Sequence, residues 1–181
     1  MNISDSLDPQ TILPLADRLA DAARAAILPY FRAPGLGADN KETDYFDPVT
    51  EADRAGEAAM RAILEAERPE DGILGEEHGV RQGSSGLTWV LDPIDGTRGF
   101  ISGTPTWGVL IALSDTQGPK FGVIDQPYIR ERFVGGLGQA YVEQGGTQRA
   151  LAVNPAPSLS EATIFTTFPC LLYTSPSPRD S

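Results

Sequence analysis

The spacing of apolar residues divides the chain into a helical part and a later part with strand periodicity. Apolar positions recur at three- and four-residue steps over residues 11–31, which predicts an amphipathic helix. A second helix is predicted over about residues 51–67, where Thr50 and Asp53 have capping-box spacing. The predicted buried stripe of this second helix is small and aliphatic, and comprises Ala55, Ala59, Ile63 and Ala66.

From residue 72 onward the pattern changes to short apolar runs separated by glycine-rich or polar turns, which indicates strands. The run Trp107–Leu113 is apolar throughout and predicts a central strand buried on both faces. Two helices followed by a meandering, mostly antiparallel sheet indicate a layered α+β fold. The predicted strands are Gly72–Gly75, Thr88–Asp92, Trp107–Leu113, Lys120–Ile124, Arg132–Gly135, Gln139–Glu143, Ala150–Val153 and Ala162–Thr167.

Composition narrows the possible functions. The 181 residues suit one domain or slightly more, and 40% hydrophobic with 22% charged residues argues against wholesale disorder. With 14 Lys and Arg against 25 Asp and Glu, the net charge is −11, which disfavours nucleic acid as a partner. An anionic substrate would need metal ions, or a local positive site, to approach this chain.

The numbers of cysteine and histidine residues and the hydropathy of the chain exclude further classes of protein and of metal site. One cysteine and one histidine rule out an internal disulfide framework and a zinc cluster built on these residues. No window approaches 18 consecutive apolar residues, and the N-terminus lacks the features of a signal peptide. We therefore expect a soluble, cytoplasmic protein with no membrane partner.

The segment Trp89–Thr97, with the sequence WVLDPIDGT, is the strongest chemical signal. An apolar strand delivers Asp92 to its end, and a tight turn brings Asp95 close to it. Two adjacent carboxylates repel each other unless a cation lies between them, and hard oxygen ligands suit Mg²⁺ or Ca²⁺. Gly96 and Thr97 add backbone N–H groups of the kind that bind phosphate oxygens.

Two further acidic segments lie upstream at the edges of predicted elements. Glu76 and Glu77 follow a short strand, and Asp53 lies in the first turn of the second helix. Convergence of the three segments would form a site for several metal ions, as metal-assisted phosphoryl transfer requires. Thr97 paired with Asp53 could orient an attacking water molecule and accept its proton.

These motifs together resemble the inositol monophosphatase family of Mg²⁺-dependent phosphatases. The resemblance rests on GEEHG at 75–79, DPIDGT at 92–97 and the upstream DPVTEAD at 47–53, and it extends over about residues 11–167. Softer motifs, namely NK at 40–41, TRGFISG at 97–103 and GVIDQP at 122–127, are more similar to the histidinol-phosphatase branch. The implied fold is a layered α+β sandwich of the inositol monophosphatase and fructose-bisphosphatase type.

The resemblance also implies a metal site. Glu76, Asp92 and the carbonyl of Ile94 would bind a first Mg²⁺, and Asp92 with Asp95 a second. Glu76 would help to hold a weaker third ion, so two or three ions are expected. Glu77 would lie beside this cluster.

Catalytic and substrate-binding roles are implied in the same way. Thr97 and Asp53 would orient the nucleophilic water, with Glu76 as the third catalytic residue. Asp95 would bind the substrate, and the backbone of Gly96 and Thr97 would contact its phosphate. The substrate would be a small phosphorylated metabolite, with L-histidinol phosphate of histidine biosynthesis favoured over inositol 1-phosphate, and a homodimer is compatible with the family.

The chain also departs from the family pattern. The family completes its second metal site with an Asp from a later Trp-Asp motif, and this sequence contains no such motif. We therefore expect residues 1–168 to form an incomplete α+β metal-phosphatase domain that lacks its second α/β layer. We expect residues 169–181, including Cys170, to form a disordered, foreign tail. An inactive fragment that binds metal or phosphate is the alternative function.

For a few polar residues the sequence leaves both a site role and a surface role open, and two aromatic residues are assigned to packing. Lys41 is either a surface lysine or a site contact, and Arg98 either binds substrate or pairs with an acid. His78 is expected at the surface or behind the metal ligands, and Phe100 and Trp107 are expected in the packing.

Overall fold

A computed structural model describes residues 7–33, 51–153, 155 and 158–163. The chain divides into two compact units, Met1–Leu151 and Ala152–Ser181. In the second unit, the described residues include one 3₁₀ turn, Leu159–Glu161. None of the helices in the described ranges combines the length and the apolar character needed to cross a membrane.

Helix α1 spans Pro9–Ile27 and begins after Asp8, whose carboxylate accepts a hydrogen bond from the Gln10 N–H at 2.9 Å. Capping of this kind satisfies one of the N–H groups that lack a partner inside the helix. The helix ends four residues earlier than predicted, because the chain continues as turns in which Tyr30 N–H and Phe31 N–H bond three residues back. Phe31 is nevertheless buried, so its apolar spacing reflected the core and not the helix.

Helix α2 spans Glu51–Glu67, as predicted, but its predicted buried stripe was wrong. Ala66 is exposed, and the other three predicted positions are only half-buried. The face that packs inward carries two acids and a glycine, and a Cβ at Gly56 would lie 2.7 Å from Ile27 Cδ1. The prediction followed the small aliphatic residues and so chose the wrong face. The buried residues are Ala52, Asp53, Gly56, Glu57, Met60 and Leu64.

The described part of the chain contains eight strands, which form one sheet. The strands are β1 Gly72–Gly75, β2 Gly79–Arg81, β3 Thr88–Asp95, β4 Gly108–Asp115, β5 Gly118–Gln126, β6 Glu131–Gly136, β7 Gln139–Gln144 and β8 Thr147–Ala150. Their order in the sheet is β2-β1-β3-β4-β5-β6-β7-β8. Strands β1 and β3 pair in parallel, and every other neighbouring pair is antiparallel. The mostly antiparallel α+β arrangement predicted from sequence is confirmed, with the short helix α3, Thr97–Ile101, between β3 and β4.

The strand predictions differ from the structure at β2, at β8 and at residues 162–163. Strand β2 was not predicted, because three residues carry no readable periodicity. The last strand of the sheet lies at 147–150 and not at 150–153, since Gly145 and Gly146 both have positive φ and form a tight turn directly before it. Of the strand predicted over 162–167, residues 162 and 163 are not in a strand and the rest lie outside the described residues.

The core lies between the two long helices and one face of the sheet. Alternate residues of β3 and β4, such as Trp89, Leu91 and Ile111, are buried there with the apolar faces of α1 and α2. On the other sheet face, Leu110 and Ala112 are half-buried and line an open apolar depression of about 720 Å³. The prediction that the strand at 107–113 is buried on both faces was therefore wrong, because the face that carries Leu110 and Ala112 is only half-buried.

The predicted packing roles of two aromatic residues are confirmed. Phe100 and Trp107 are buried, with ring centroids 4.8 Å apart in an edge-on arrangement. Phe31 packs against both rings, at 5.3 and 5.2 Å. This cluster packs α3 against the turns that follow α1.

Candidate functional site

The parallel pairing of β1 with β3 brings two acidic motifs together. In the register of this pair, Gly75 lies opposite Leu91, so Glu76 and Asp92 follow at the same edge of the sheet. The Glu76 N–H continues the ladder and donates to the Leu91 carbonyl at 3.3 Å. Residues 16 positions apart in the chain thus become neighbours, as the sequence predicted for the GEE and DPID segments.

Asp92 is the electrostatic centre of this edge. The pKa of its carboxyl group is raised to about 7, mainly by burial and then by the negative charge of Glu76 and a hydrogen bond to the Glu76 side chain. The charges of Asp95 and Asp53 contribute smaller parts of the same rise. The four acids selected from the sequence therefore lie within electrostatic reach of one another.

The site opens to solvent on one side and is closed by α2 on the other. Glu76 and Asp95 are exposed, whereas Asp53 is only 4% exposed in the first turn of α2. Glu77 lies beside them, and burial together with the charge of Glu76 raises the pKa of its carboxyl group. Arg54 partly offsets this through an ion pair with Glu77 at 3.9 Å.

The DPIDGT segment leaves the sheet through an irregular turn. Strand β3 runs on to Asp95, three residues beyond the predicted end, and its pairing with β4 shifts between Asp92 and Asp95. Gly96 then adopts φ +88°, and a Cβ there would approach the Thr106 carbonyl oxygen to 2.7 Å. Thr97 begins α3, and its hydroxyl donates to the Ile94 carbonyl at 3.2 Å. The register shift and the turn at Gly96 take the chain out of β3 and into α3 just after Asp92.

The donor chemistry of this edge fits a hard divalent cation, although the described side chains do not form a closed cage. Asp92 Oδ1 is buried and accepts no hydrogen bond from the described residues, so it is an oxygen that lacks a partner. Carboxylate oxygens and a backbone carbonyl are the ligands that Mg²⁺ takes. Within the described ranges, however, no group of three or more His, Cys, Asp or Glu side chains is arranged to hold an ion.

Several predicted roles stay predictions. The structure shows Thr97 bonded to Ile94, and the pairing of Thr97 with Asp53 is not tested by it. Lys41 and the segment 47–50 lie outside the described residues. Arg98 is exposed on α3, and His78, 41% exposed, faces Glu57 with its Nδ1 at 3.5 Å.

Glu57 is a polar residue of this region that the sequence interpretation missed. It is fully buried on α2, one helical turn after Asp53, and its carboxylate accepts hydrogen bonds from the backbone of Glu77 and His78. The signal that would have found it is positional: Asp53, Glu57 and Arg61 follow one another at four-residue steps and share one helix face.

Comparison with known proteins identifies the family. A sequence model described as the inositol monophosphatase family matches residues 8–172. The chain belongs to this family. The match covers both helices, the whole sheet and every acid discussed above, so the resemblance predicted from the motifs is confirmed.

Individual relatives agree with this assignment. The chain is 40% identical over 159 residues to the chloroplastic bifunctional phosphatase IMPL2 of Arabidopsis thaliana, covering 87% of this chain and 44% of that protein. It is 38% identical over 159 residues to a histidinol-phosphatase of Mycobacterium tuberculosis, covering 87% and 59%. A solved inositol monophosphatase from Zymomonas mobilis shares 44% identity and a TM-score of 0.61, covering 86% and 56%. The chain spans about half the length of the curated relatives it matches.

Proposed function

We propose that this chain supplies the metal-binding part of a Mg²⁺-dependent phosphomonoesterase. The observation that supports the proposal most strongly is the cluster of Asp92 with Glu76, Asp95 and Asp53, in which the pKa of Asp92 rises to about 7. Such mutual destabilisation of carboxylates is relieved when a divalent cation binds between them.

The residues of the cluster would have separate roles in metal binding and proton transfer. Glu76, Asp92, Asp95 and the Ile94 carbonyl would hold the ions, of which we propose two to three. When bound, Mg²⁺ would neutralise phosphate charge and lower the pKa of water. Asp53, buried at the floor of the cluster, would accept a proton from the attacking water.

Thr97 and its neighbours would hold the reactants in place. The Thr97 hydroxyl would have to exchange its bond to Ile94 for one to water in order to orient that water against Asp53. The N–H groups of Gly96 and Thr97 would bind the phosphate group of the ester, and Asp95 would also contact the substrate. The exposed position of Asp95 and Gly96 leaves that side accessible to a small substrate.

We propose L-histidinol phosphate as the substrate. The support is similarity to proteins named histidinol-phosphatase in Mycobacterium tuberculosis and Chlorobaculum parvum, at 38% and 37% identity. Inositol 1-phosphate is the competing substrate, supported by the Zymomonas mobilis inositol monophosphatase at 44% identity. A cytoplasmic location, a homodimer and a domain boundary at residue 168 belong to the same proposal.

A second candidate function is an inactive fragment that binds metal or phosphate. It is favoured by the coverage of about half of each relative and by the absence, among the described side chains, of a closed metal-binding group. Turnover separates the two candidates, because an inactive fragment would bind Mg²⁺ or phosphate without releasing phosphate from an ester.

The experiment measures phosphate release from L-histidinol phosphate and from inositol 1-phosphate by the full chain while Mg²⁺ is titrated. We expect Mg²⁺-dependent turnover that is faster with histidinol phosphate and lost in Asp92→Asn. Asp115→Asn is the matched control, since it makes the same change at the opposite end of the β3–β4 pair. Turnover that is independent of Mg²⁺ contradicts the metal proposal, equal or reversed preference contradicts the substrate, and binding without turnover favours the inactive fragment.

A further inference from the structure

Glu57 is a buried carboxylate that has no role in the proposed reaction. Its side chain is 0% exposed, and Arg61 is its ion-pair partner, with Nε 2.6 Å from Oε1, while the imidazole Nδ1 of His78 lies 3.5 Å from the same oxygen. A buried carboxylate is costly unless it is paired and fully hydrogen-bonded, and helix α2 would be simpler to pack with an apolar residue here. The position of the charge therefore needs an explanation.

The remaining hydrogen bonds of Glu57 go to the backbone immediately after Glu76. Oε2 accepts the Glu77 N–H at 2.7 Å, and Oε1 accepts the His78 N–H at 3.2 Å. The preceding residue, Gly75, leaves the room for this approach, because a Cβ there would lie 1.8 Å from Oε1. The turn between β1 and β2 is thus built around the Glu57 carboxylate.

Glu76 is consequently fixed from both sides. Its own N–H donates to Leu91 on β3, and the two N–H groups that follow it are held by Glu57. Arg61 also donates to the Gly79 carbonyl at the start of β2, so the same helix holds the residue that follows the turn as well. Helix α2 thus places Asp53 at the acidic cluster. One helical turn later, through Glu57, the same helix supports the backbone that follows Glu76.

We propose that Glu57 is a positioning residue, which fixes the backbone at Glu76 so that the Glu76 carboxylate meets Asp92 in a geometry suited to Mg²⁺. The proposal rests on the proposed function in one respect, namely that Glu76 is a metal ligand. Groups that orient metal ligands typically change metal affinity by about 10- to 100-fold when they are mutated. Glu57 acts through the backbone of the neighbouring residues, so we expect the lower part of that range.

Glu57→Gln tests the proposal with little change of shape. The amide nitrogen cannot accept a backbone N–H, so one of the two bonds to the turn is lost together with the charge that pairs with Arg61. We expect calorimetry on the full chain to show Mg²⁺ affinity reduced by about tenfold. Without Mg²⁺, we expect the amides of Glu77 and His78 to exchange hydrogen faster, while those of β4 and β5 remain unchanged.

Asp71→Asn is the matched control. Asp71 is also a buried carboxylate, 2% exposed, that is bonded to a nearby arginine through Arg68 Nε at 2.7 Å. It accepts the Trp89 Nε1–H at 3.0 Å directly before β1, at the end of the strand opposite Glu76. We expect this variant to be less stable than the wild type but to bind Mg²⁺ with unchanged affinity.

The outcomes separate this proposal from the one on which it rests. If the wild type binds Mg²⁺ and Glu57→Gln binds it equally well, or Asp71→Asn weakens binding as much, the positioning role is overturned and the metal site stands. If the wild type binds no Mg²⁺, the metal assignment fails and the positioning role fails with it. If Glu57→Gln does not fold, Glu57→Asp keeps the charge but withdraws it from the turn, and undiminished Mg²⁺ affinity in that variant overturns the proposal.

Discussion

Arg132 on β6 ties the sheet to helix α1 through buried charge, and its replacement by Met gives a quantitative test of the fold. Its Nε donates to Asp125 Oδ1 at 3.0 Å, and its terminal nitrogens reach Asp17 at 2.8 Å and Asp21 at 2.6 Å. Asp125 is fully buried and has a second partner, Arg24, at 2.6 Å. Met is unbranched and can occupy much of the space that the arginine stem fills.

The expected loss of stability follows from how deeply each partner of Arg132 is buried. Losing the bond to buried Asp125 removes a charged hydrogen bond of about 1.5–3 kcal/mol, and Arg24 remains to pair with the carboxylate. The side chains of Asp17 and Asp21 are 47% and 63% exposed, so their pairs contribute about 0–1 kcal/mol each. We expect the free energy of unfolding to fall by about 3 kcal/mol, and the Tm to fall by about 6–12 °C for a chain of this size.

Urea denaturation followed by circular dichroism measures this change, with Asp21→Asn as the control. Asp21 contacts the same guanidinium from the exposed side, so we expect its substitution to cost less than about 1 kcal/mol. A loss below about 1 kcal/mol for Arg132→Met, or equal losses for the two variants, would refute the view that buried Asp125 dominates the network.

Three further predictions concern the acidic edge. Asp92→Asn removes the shared carboxylate, so calorimetry should show Mg²⁺ binding lost while the circular dichroism spectrum is retained; unchanged binding contradicts the ligand role. Thr97→Ala should lower turnover about 100-fold or more while sparing Mg²⁺ affinity, because the hydroxyl would act on water and not on the metal; a parallel loss of affinity argues against that division. Gly75→Ala should cost about 1–3 kcal/mol in urea denaturation, since its Cβ would lie 1.8 Å from Glu57 Oε1, and much less in a Glu57→Ala background; additive losses contradict the contact.

The elements that could be predicted from sequence are those whose residues follow one period for long enough. Helix α2 and strands β1 and β3 to β7 were found, because apolar spacing and glycine-bounded turns define them locally. The end of α1 and the register of β8 were not, because Phe31 keeps a helical spacing outside the helix and two glycines set where β8 begins. Apolar periodicity indicates which residues are buried. It therefore gives a wrong helix end where a residue of the following turn is also buried in the core.

The acidic site was predicted in part for the same reason. Asp92, Glu76 and Asp95 each lie at the end of an apolar strand or in the turn after it, and the parallel pairing of β1 with β3 places two of them together. Glu57 escaped notice because a glutamate within a helix is normally exposed. Only the fold shows that its helix face points at the backbone of Glu77 and His78.

The wrong stripe predicted for α2 and the missed Glu57 have one cause. The buried face of α2 mixes Asp53, Glu57 and Gly56 with only three apolar residues, so its apolar stripe is interrupted and was not recognised; the three are Ala52, Met60 and Leu64. This charge lies inward because the turn after β1 presents N–H groups toward α2, and Arg61 compensates the carboxylate four residues on. A departure from the expected hydrophobic pattern therefore marks the helix that builds the floor of the site, and buried acids at four-residue spacing can be searched for on that basis.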